Sequence, residues 1–330
     1  MPRPLDRRRF LQRSTLIGGA LVAGALPTRA RASVTDEEIR PAVNAVAADH
    51  TYRLKRGLDF GTGKQGSGGN VAVGDLAALQ RYARTNGYME ADGHVVDALG
   101  GNGEWQRYRS NNNHVFGRSS MSLVARAPAG KVAPGLVESG MFQTLESWRY
   151  GYFELRCKVP PTAKKGSWPA FWITSADFLW PPEVDMLECV INSDTPDRAD
   201  SSKNVFQGFA AGPDNPVEWI GERKLDKWNA YRTAGSAGDQ GAAVDFSAGF
   251  HVFAVEWLPD GRWKTYVDQV ETAERRYPWR HQGGADGGPG ILDVNLAFGG
   301  NWPARNGVCD ISQFPIAFEL DFLRAWQRAG

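Results

Sequence analysis

Apolar and polar residues alternate with a period of two over much of the chain beyond residue 100. In Tyr150–Val159, the side chains of Phe153, Leu155, Cys157 and Val159 oppose those of Tyr152, Glu154, Arg156 and Lys158. That pattern marks a strand with one face on a core. Similar short strands are expected at Ser122–Ala127, Ala170–Thr174, Val184–Ile191, Phe250–Leu258, Trp263–Val267, Leu292–Phe298 and Phe318–Gln327. Between two of them, Leu258-Pro259-Asp260-Gly261-Arg262 supplies hairpin turn chemistry. Earlier in the chain, Tyr52–Phe60 is followed by a Gly/Ser stretch over Gly61–Gly69, and Asp75–Arg84 is the best helix candidate of the mature chain. Many short strands separated by turn residues indicate an all-β sandwich or barrel rather than a parallel α/β sheet. No internal repeat and no linker to a second domain are visible.

One strand carries an unusual load of charge. Glu183-Val184-Asp185-Met186-Leu187-Glu188 lies between Trp180 and the apolar run Cys189-Val190-Ile191. Alternate residues of a strand share a face, so Glu183 and Asp185 point the same way and Glu188 has the wrong parity. A β-bulge at Met186–Leu187 adds one residue and returns Glu188 to the same side. The alternative is an acidic edge strand facing solvent, and the apolar residues of the other parity argue against it. Three converging carboxylates suit glycoside hydrolysis, in which one is a nucleophile and a second, kept protonated, donates to the leaving oxygen. A third acid beside them helps to hold the nucleophile and to separate the two pKa values. Metal binding is the competing use of clustered acids. Calcium sites, however, usually lie on a glycine-containing loop, and this run has no glycine.

The first 32 residues change the charge balance. Arg7-Arg8-Arg9-Phe10-Leu11 reads as a twin-arginine export signature, followed by an apolar stretch from Ser14 to Leu26 and a small-residue cleavage site at Ala30-Arg31-Ala32. The apolar stretch is shorter than the roughly 20 residues a spanning helix needs, so export is expected rather than anchoring, with the mature protein periplasmic or extracellular and off the membrane. The expected division is therefore a signal at 1–32, a polar extension at 33–50 and one domain at 51–330. The whole chain carries +1 and the first 32 residues carry +6, which leaves −5 on the mature protein. Without a Lys/Arg-rich patch, nucleic acid is excluded as a partner, and a monomer acting on a neutral polymer is expected. Cys157 and Cys189 read as buried free thiols, and His251 as an ordinary structural residue. All twelve Trp lie between 105 and 326. Trp257 and Trp326 read as core, whereas Trp168, Trp180 and Trp302 flank glycines, prolines and the acids. Flat rings on a cleft suit the C–H faces of sugars.

In order along the chain, these segments resemble family-16 glycoside hydrolases, the laminarinase-like β-glucanases and their relatives. The resemblance is carried by Gly140-Met141-Phe142-Gln143-Thr144, Tyr150–Lys158, Gly166-Ser167-Trp168-Pro169-Ala170-Phe171-Trp172, Trp180-Pro181-Pro182-Glu183 and the Glu-x-Asp-x-x-Glu run. Further on, Phe250–Trp257, Asn295–Pro303 and Leu320–Gln327 also fit. The resemblance covers nearly all of 52–328 and implies a β-jelly-roll sandwich of two antiparallel sheets with a concave substrate cleft. It also implies a retaining mechanism with Glu183 as nucleophile, Asp185 as its assistant and Glu188 as general acid and then base. Trp168, Trp180, Gln207, Asn301 and Trp302 are the expected substrate contacts. No cofactor is implied for catalysis, and Asp321 matches a position that holds a structural calcium ion in many members. Two departures stand out: Gln207 takes the place of a histidine usual in laminarinase-like members, and Pro182 the place of a common glycine. Residues 61–100 fit poorly and are expected to reshape one end of the cleft. The expected activity is endo-cleavage of a β-1,3 or mixed β-1,3-1,4 glucan. A galactan hydrolase of the agarase type, a transglycosylase and a non-catalytic glucan-binding jelly roll are the alternatives.

Overall fold

The computed structural model describes residues 52–66, 69–98, 102–192, 201–202, 204–210, 218–219, 228–232 and 245–329. The expected export segment and the extension at 33–50 lie outside the described residues. Two large sheets form. The ten-stranded sheet runs through Glu218–Trp219, Val270–Arg276, Arg262–Val267, His251–Trp257, Gly151–Lys158, Ile316–Arg328, Tyr52–Phe60 and Asn70–Val73, with His114–Phe116 and Met121–Ala125 joined at its side. The seven-stranded sheet runs Trp228–Arg232, Asn204–Phe209, Glu183–Glu188, Ser167–Ser175, Gly290–Phe298, Met141–Thr144 and Ala83–Arg84. Neighbours in each sheet are mostly distant in sequence and antiparallel, the connectivity of a jelly-roll sandwich.

The core lies between the sheets. Phe153, Leu155, Cys157, Phe253, Val255 and Leu323 come from the larger sheet, and Phe171, Ile173, Val184, Leu292, Val294 and Leu296 meet them from the smaller. Full burial of one such side chain stabilises by roughly 1.5–3 kcal/mol. A one-residue slip of any of these strands would turn its whole apolar set outward, so the register is firmly specified.

On Gly151–Lys158 the expected alternation holds, yet the outward residues are not left in water. Tyr152 packs with Tyr52, Ala254 and Trp326 in a second apolar cluster. Glu154 accepts the Trp326 indole N–H at 3.0 Å, and Arg156 pairs with Asp321. Trp326 is therefore buried as expected but on the outer face, whereas Trp257 lies in the core, stacked on Trp263 at 4.5 Å between ring centroids.

The expected helix over Asp75–Arg84 is cut to Leu76–Gln80. Asp75 caps it by accepting from the Ala78 N–H at 2.7 Å. Its would-be last turn is claimed by sheet pairing, because Ala83 and Arg84 form an edge strand opposite Thr144 and Gln143. The Pro259-Asp260-Gly261 connection forms the expected hairpin: Leu258 N–H donates to the Arg262 carbonyl, and Gly261 adopts φ +81°, a conformation that glycine supplies without a Cβ clash. All three cysteines are buried and free. His251 is held by Asp268 at 2.7 Å, a structural role. No helix among the described residues is long and apolar enough to cross a membrane.

Candidate active site

Val184, Met186 and Leu187 are fully buried and hold the acidic strand against the core. The strand departs from simple alternation at the place where the acids require it. On one side, Asp185 stands opposite Trp172 while Leu187 stands opposite Phe171, so Met186 is an extra residue. On the other side, Asp185 pairs with Gly208 and Glu188 with Phe206. Met186 and Leu187 together thus oppose the single residue Gln207, which is a β-bulge at the expected position. Glu183, Asp185 and Glu188 consequently share the face that also carries Trp168, Ala170, Trp172 and Thr174 of the neighbouring strand.

The acids are held by aromatic donors. Trp168 Nε1 donates to Glu188 Oε1 at 3.1 Å and Trp180 Nε1 to Glu183 Oε2 at 3.0 Å. Each bond fixes one carboxylate oxygen and leaves the other turned from the indole. The backbone of Glu183 is pinned as well: its N–H donates to the Tyr277 hydroxyl at 3.2 Å, and that hydroxyl donates to the Ala210 carbonyl at 2.8 Å. Burial lifts the Tyr277 phenol well above the usual range, so it remains a neutral donor. Asp185 and Glu188 are nearly buried, and Glu183 is half-buried. Trp302 packs edge-on against Trp168, with centroids 5.6 Å apart, and against Phe206 at 5.1 Å. Phe206 was not expected here. Its pairing opposite Glu188 gives it the acids' face, which parity counted across the bulge would have indicated.

Gln207 corrects the expectation of a substrate contact. It is fully buried and faces the interior. Its Nε2 donates to the Met186 carbonyl at 2.9 Å and to the Tyr266 carbonyl at 3.1 Å, and its Oε1 accepts from the Thr272 hydroxyl. A bulge disrupts the ladder locally, and this amide bonds the bulge carbonyl while bridging to the opposite sheet. Asn301 lies exposed at a turn, where its N–H donates to the Asn102 carbonyl at 2.8 Å.

Asp321 lies on the outer face of the larger sheet. Its two oxygens are taken by the Lys64 ammonium and the Arg156 guanidinium. A calcium ion demands six to eight oxygen ligands. Two cations already hold this carboxylate, and no cluster of three His, Cys, Asp or Glu suited to a metal occurs among the described residues. The side chains there, as arranged, do not fit a calcium ion.

Residues 102–208 match the model of Glycosyl hydrolases family 16. The chain is 29% identical over 199 residues to a beta-glucanase of Rhodothermus marinus, covering 55% of this chain and 58% of the relative. It is 28% identical over 249 residues to a glucan endo-1,3-beta-glucosidase of Cryptopygus antarcticus, covering 68% of this chain and 82% of the relative. With the endo-1,3-1,4-beta-glycanase EglC of Rhizobium meliloti it shares 48% identity over 192 residues, 57% of this chain and 33% of that protein. The chain thus spans about half the length of several curated relatives. Among solved structures, the endo-beta-1,3(4)-glucanase SCLam superposes with a TM-score of 0.57 at 24% identity, covering 84% of this chain and 92% of that one. The laminarinase of Rhodothermus marinus superposes with 0.53 at 24% identity, covering 72% and 90%. These likenesses establish the shared fold.

Proposed function

We propose that the chain, whose residues 102–208 match the model of Glycosyl hydrolases family 16, is an exported, endo-acting, retaining β-glycosidase cleaving a β-1,3 or mixed β-1,3-1,4 glucan. The observation that carries this reading is the bulge at Met186–Leu187, which turns three carboxylates to one aromatic-lined face. The names of the glucanase relatives support the choice of polymer.

In this mechanism the Glu183 carboxylate attacks the anomeric carbon while Glu188, protonated, gives its proton to the departing glycosidic oxygen. The glycosyl group is then esterified to Glu183. Water displaces it as Glu188 takes the water's proton, which restores both side chains and leaves a product of retained configuration. Asp185, two residues from Glu183 on the same face, assists the nucleophile. The rings of Trp168, Trp180, Trp302 and Phe206 offer apolar faces to the sugars.

The test is reducing-end release by residues 33–330 on laminarin, mixed-linkage glucan, agarose, carrageenan and xyloglucan, with Glu183→Gln in parallel. Release from a β-glucan that vanishes in the variant supports the reading. Cleavage of agarose or carrageenan alone would replace the polymer. Transfer to sugar acceptors without net release would make the protein a transglycosylase, and binding without cleavage would make it a lectin.

A further inference from the structure

Among the described residues, the acid-bearing face is open on one flank and sealed on the other. On the open flank lie Phe206 and Trp302, both partly exposed. On the other flank the same face continues by register through Trp172 to Asp293 and Asn295, then to Met141 and Gln143, then to Arg84. These positions would line a long cleft floor if nothing covered them. Instead Asp293 and Met141 are 0% exposed and Gln143 is 2% exposed.

The cover is built from the segment that fits the family pattern poorly. Tyr88–Met89 pairs with Val95–Val96 in a small hairpin, turned by Glu90–His94, where Gly93 adopts φ +88°. The Tyr88 ring lies 5.6 Å from the Trp172 ring and meets the Tyr108 ring edge-on at 5.5 Å. Tyr108 accepts from Asn295 Nδ2 and Gln106 Nε2, each at 3.1 Å. Gln143 Oε1 receives the Arg84 guanidinium and the Met89 N–H. The hairpin is thus tied to the floor by rings and by hydrogen bonds.

We propose that the Tyr88–Val96 hairpin is a wall that ends the substrate cleft on this flank, so that Tyr88 sets how many sugar residues bind there and how long the released product is. This rests on the glucanase reading above. Strands lie about 4.8 Å apart, so the covered strands Gly290–Phe298 and Met141–Thr144 remove roughly 10 Å of floor from a polymer lying across the sheet. Among the described residues, a glucan chain then extends past the acids toward Phe206 and Trp302.

The experiment compares the wild type with Tyr88→Phe, Tyr88→Leu and Tyr88→Ala on whichever polymer the wild type cleaves. It reads product lengths early in the reaction by chromatography. The wall predicts that wild type and Tyr88→Phe release one narrow set of short products. Tyr88→Ala, and Tyr88→Leu should the alanine variant fail to fold, shift that set upward by at least one sugar residue. An active Tyr88→Leu or Tyr88→Ala with an unchanged product ladder overturns the wall and leaves the glucanase reading standing. Silence of the wild type on every polymer overturns the glucanase reading and, with it, this proposal.

Discussion

Two buried glutamates accept an indole N–H at nearly the same distance: Glu188 from Trp168 at 3.1 Å and Glu154 from Trp326 at 3.0 Å. They sit on different sheets. Glu154 stands on the outer face of the larger sheet, flanked two residues away by Tyr152 and Arg156. Burial pushes its carboxyl up to about 7. Glu188 shares its face with two other acids because a bulge returned it there. A buried glutamate under a tryptophan is therefore not in itself a sign of chemistry. The sign is the break in alternation that brings several carboxylates together beside a partly open surface.

The largest expected effect separates the two directly. Glu183→Gln and Glu188→Gln should each lower kcat by about a thousandfold or more, while Glu154→Gln leaves kcat unchanged. Steady-state kinetics on the cleaved glucan would check this, and a comparable loss in Glu154→Gln would erase the distinction.

Stability should separate them in the opposite sense. In the fold Glu154 holds its proton up to about pH 7, against an ordinary value of 4.5. Between these values the folded protein keeps a proton that the unfolded chain has released. Stability from this group is therefore complete below about pH 4.5, falls as pH rises toward 7 and is flat above. The loss by pH 8 amounts to about 3 kcal/mol. Glu154→Gln has no proton to lose, so it should unfold at higher denaturant than the wild type at pH 8, and the gap should close toward pH 4.5. A variant less stable than the wild type at pH 8 would show that the Glu154 carboxylate is stabilised by its partners in the fold rather than penalised by burial.

A smaller effect sharpens the role of the bulge. Gln207→Leu removes the donor to the Met186 carbonyl and should cost about 1–3 kcal/mol of stability. Because Glu188 is placed by that bulge, kcat should fall at temperatures where the variant is still fully folded. Denaturant titration and kinetics on one sample test this, and an unchanged kcat would show that the bulge holds without the amide. Smallest of all is the response to a chelator. With Asp321 held by Lys64 and Arg156, EDTA should leave the melting temperature unchanged, and a drop would reveal a structural ion.

The sandwich and the bulge were legible because both follow from side-chain parity. Continuous alternation in Gly151–Lys158 gave the core face, and the misfit of Glu188 gave the extra residue. Gln207 was misread because it was placed by family position rather than by counting parity across the bulge, which turns it inward and Phe206 outward. The helix at 75–84 ran long because local propensity cannot foresee that Ala83–Arg84 will pair with Met141–Thr144, far along the chain. The Tyr88–Val96 hairpin has strands of two residues each, too short to show a period, and only the tertiary fold lays Tyr88 over Trp172.

The most direct test of the central claim, that the bulge aligns a nucleophile and an acid/base for double displacement, is the anomeric configuration of the product at the moment of release. Proton NMR of the wild type acting on the cleaved β-glucan should show the β-anomer first, with the α-anomer growing in later by mutarotation. The α-anomer appearing first would mean inversion, and Glu183 would then not be a nucleophile.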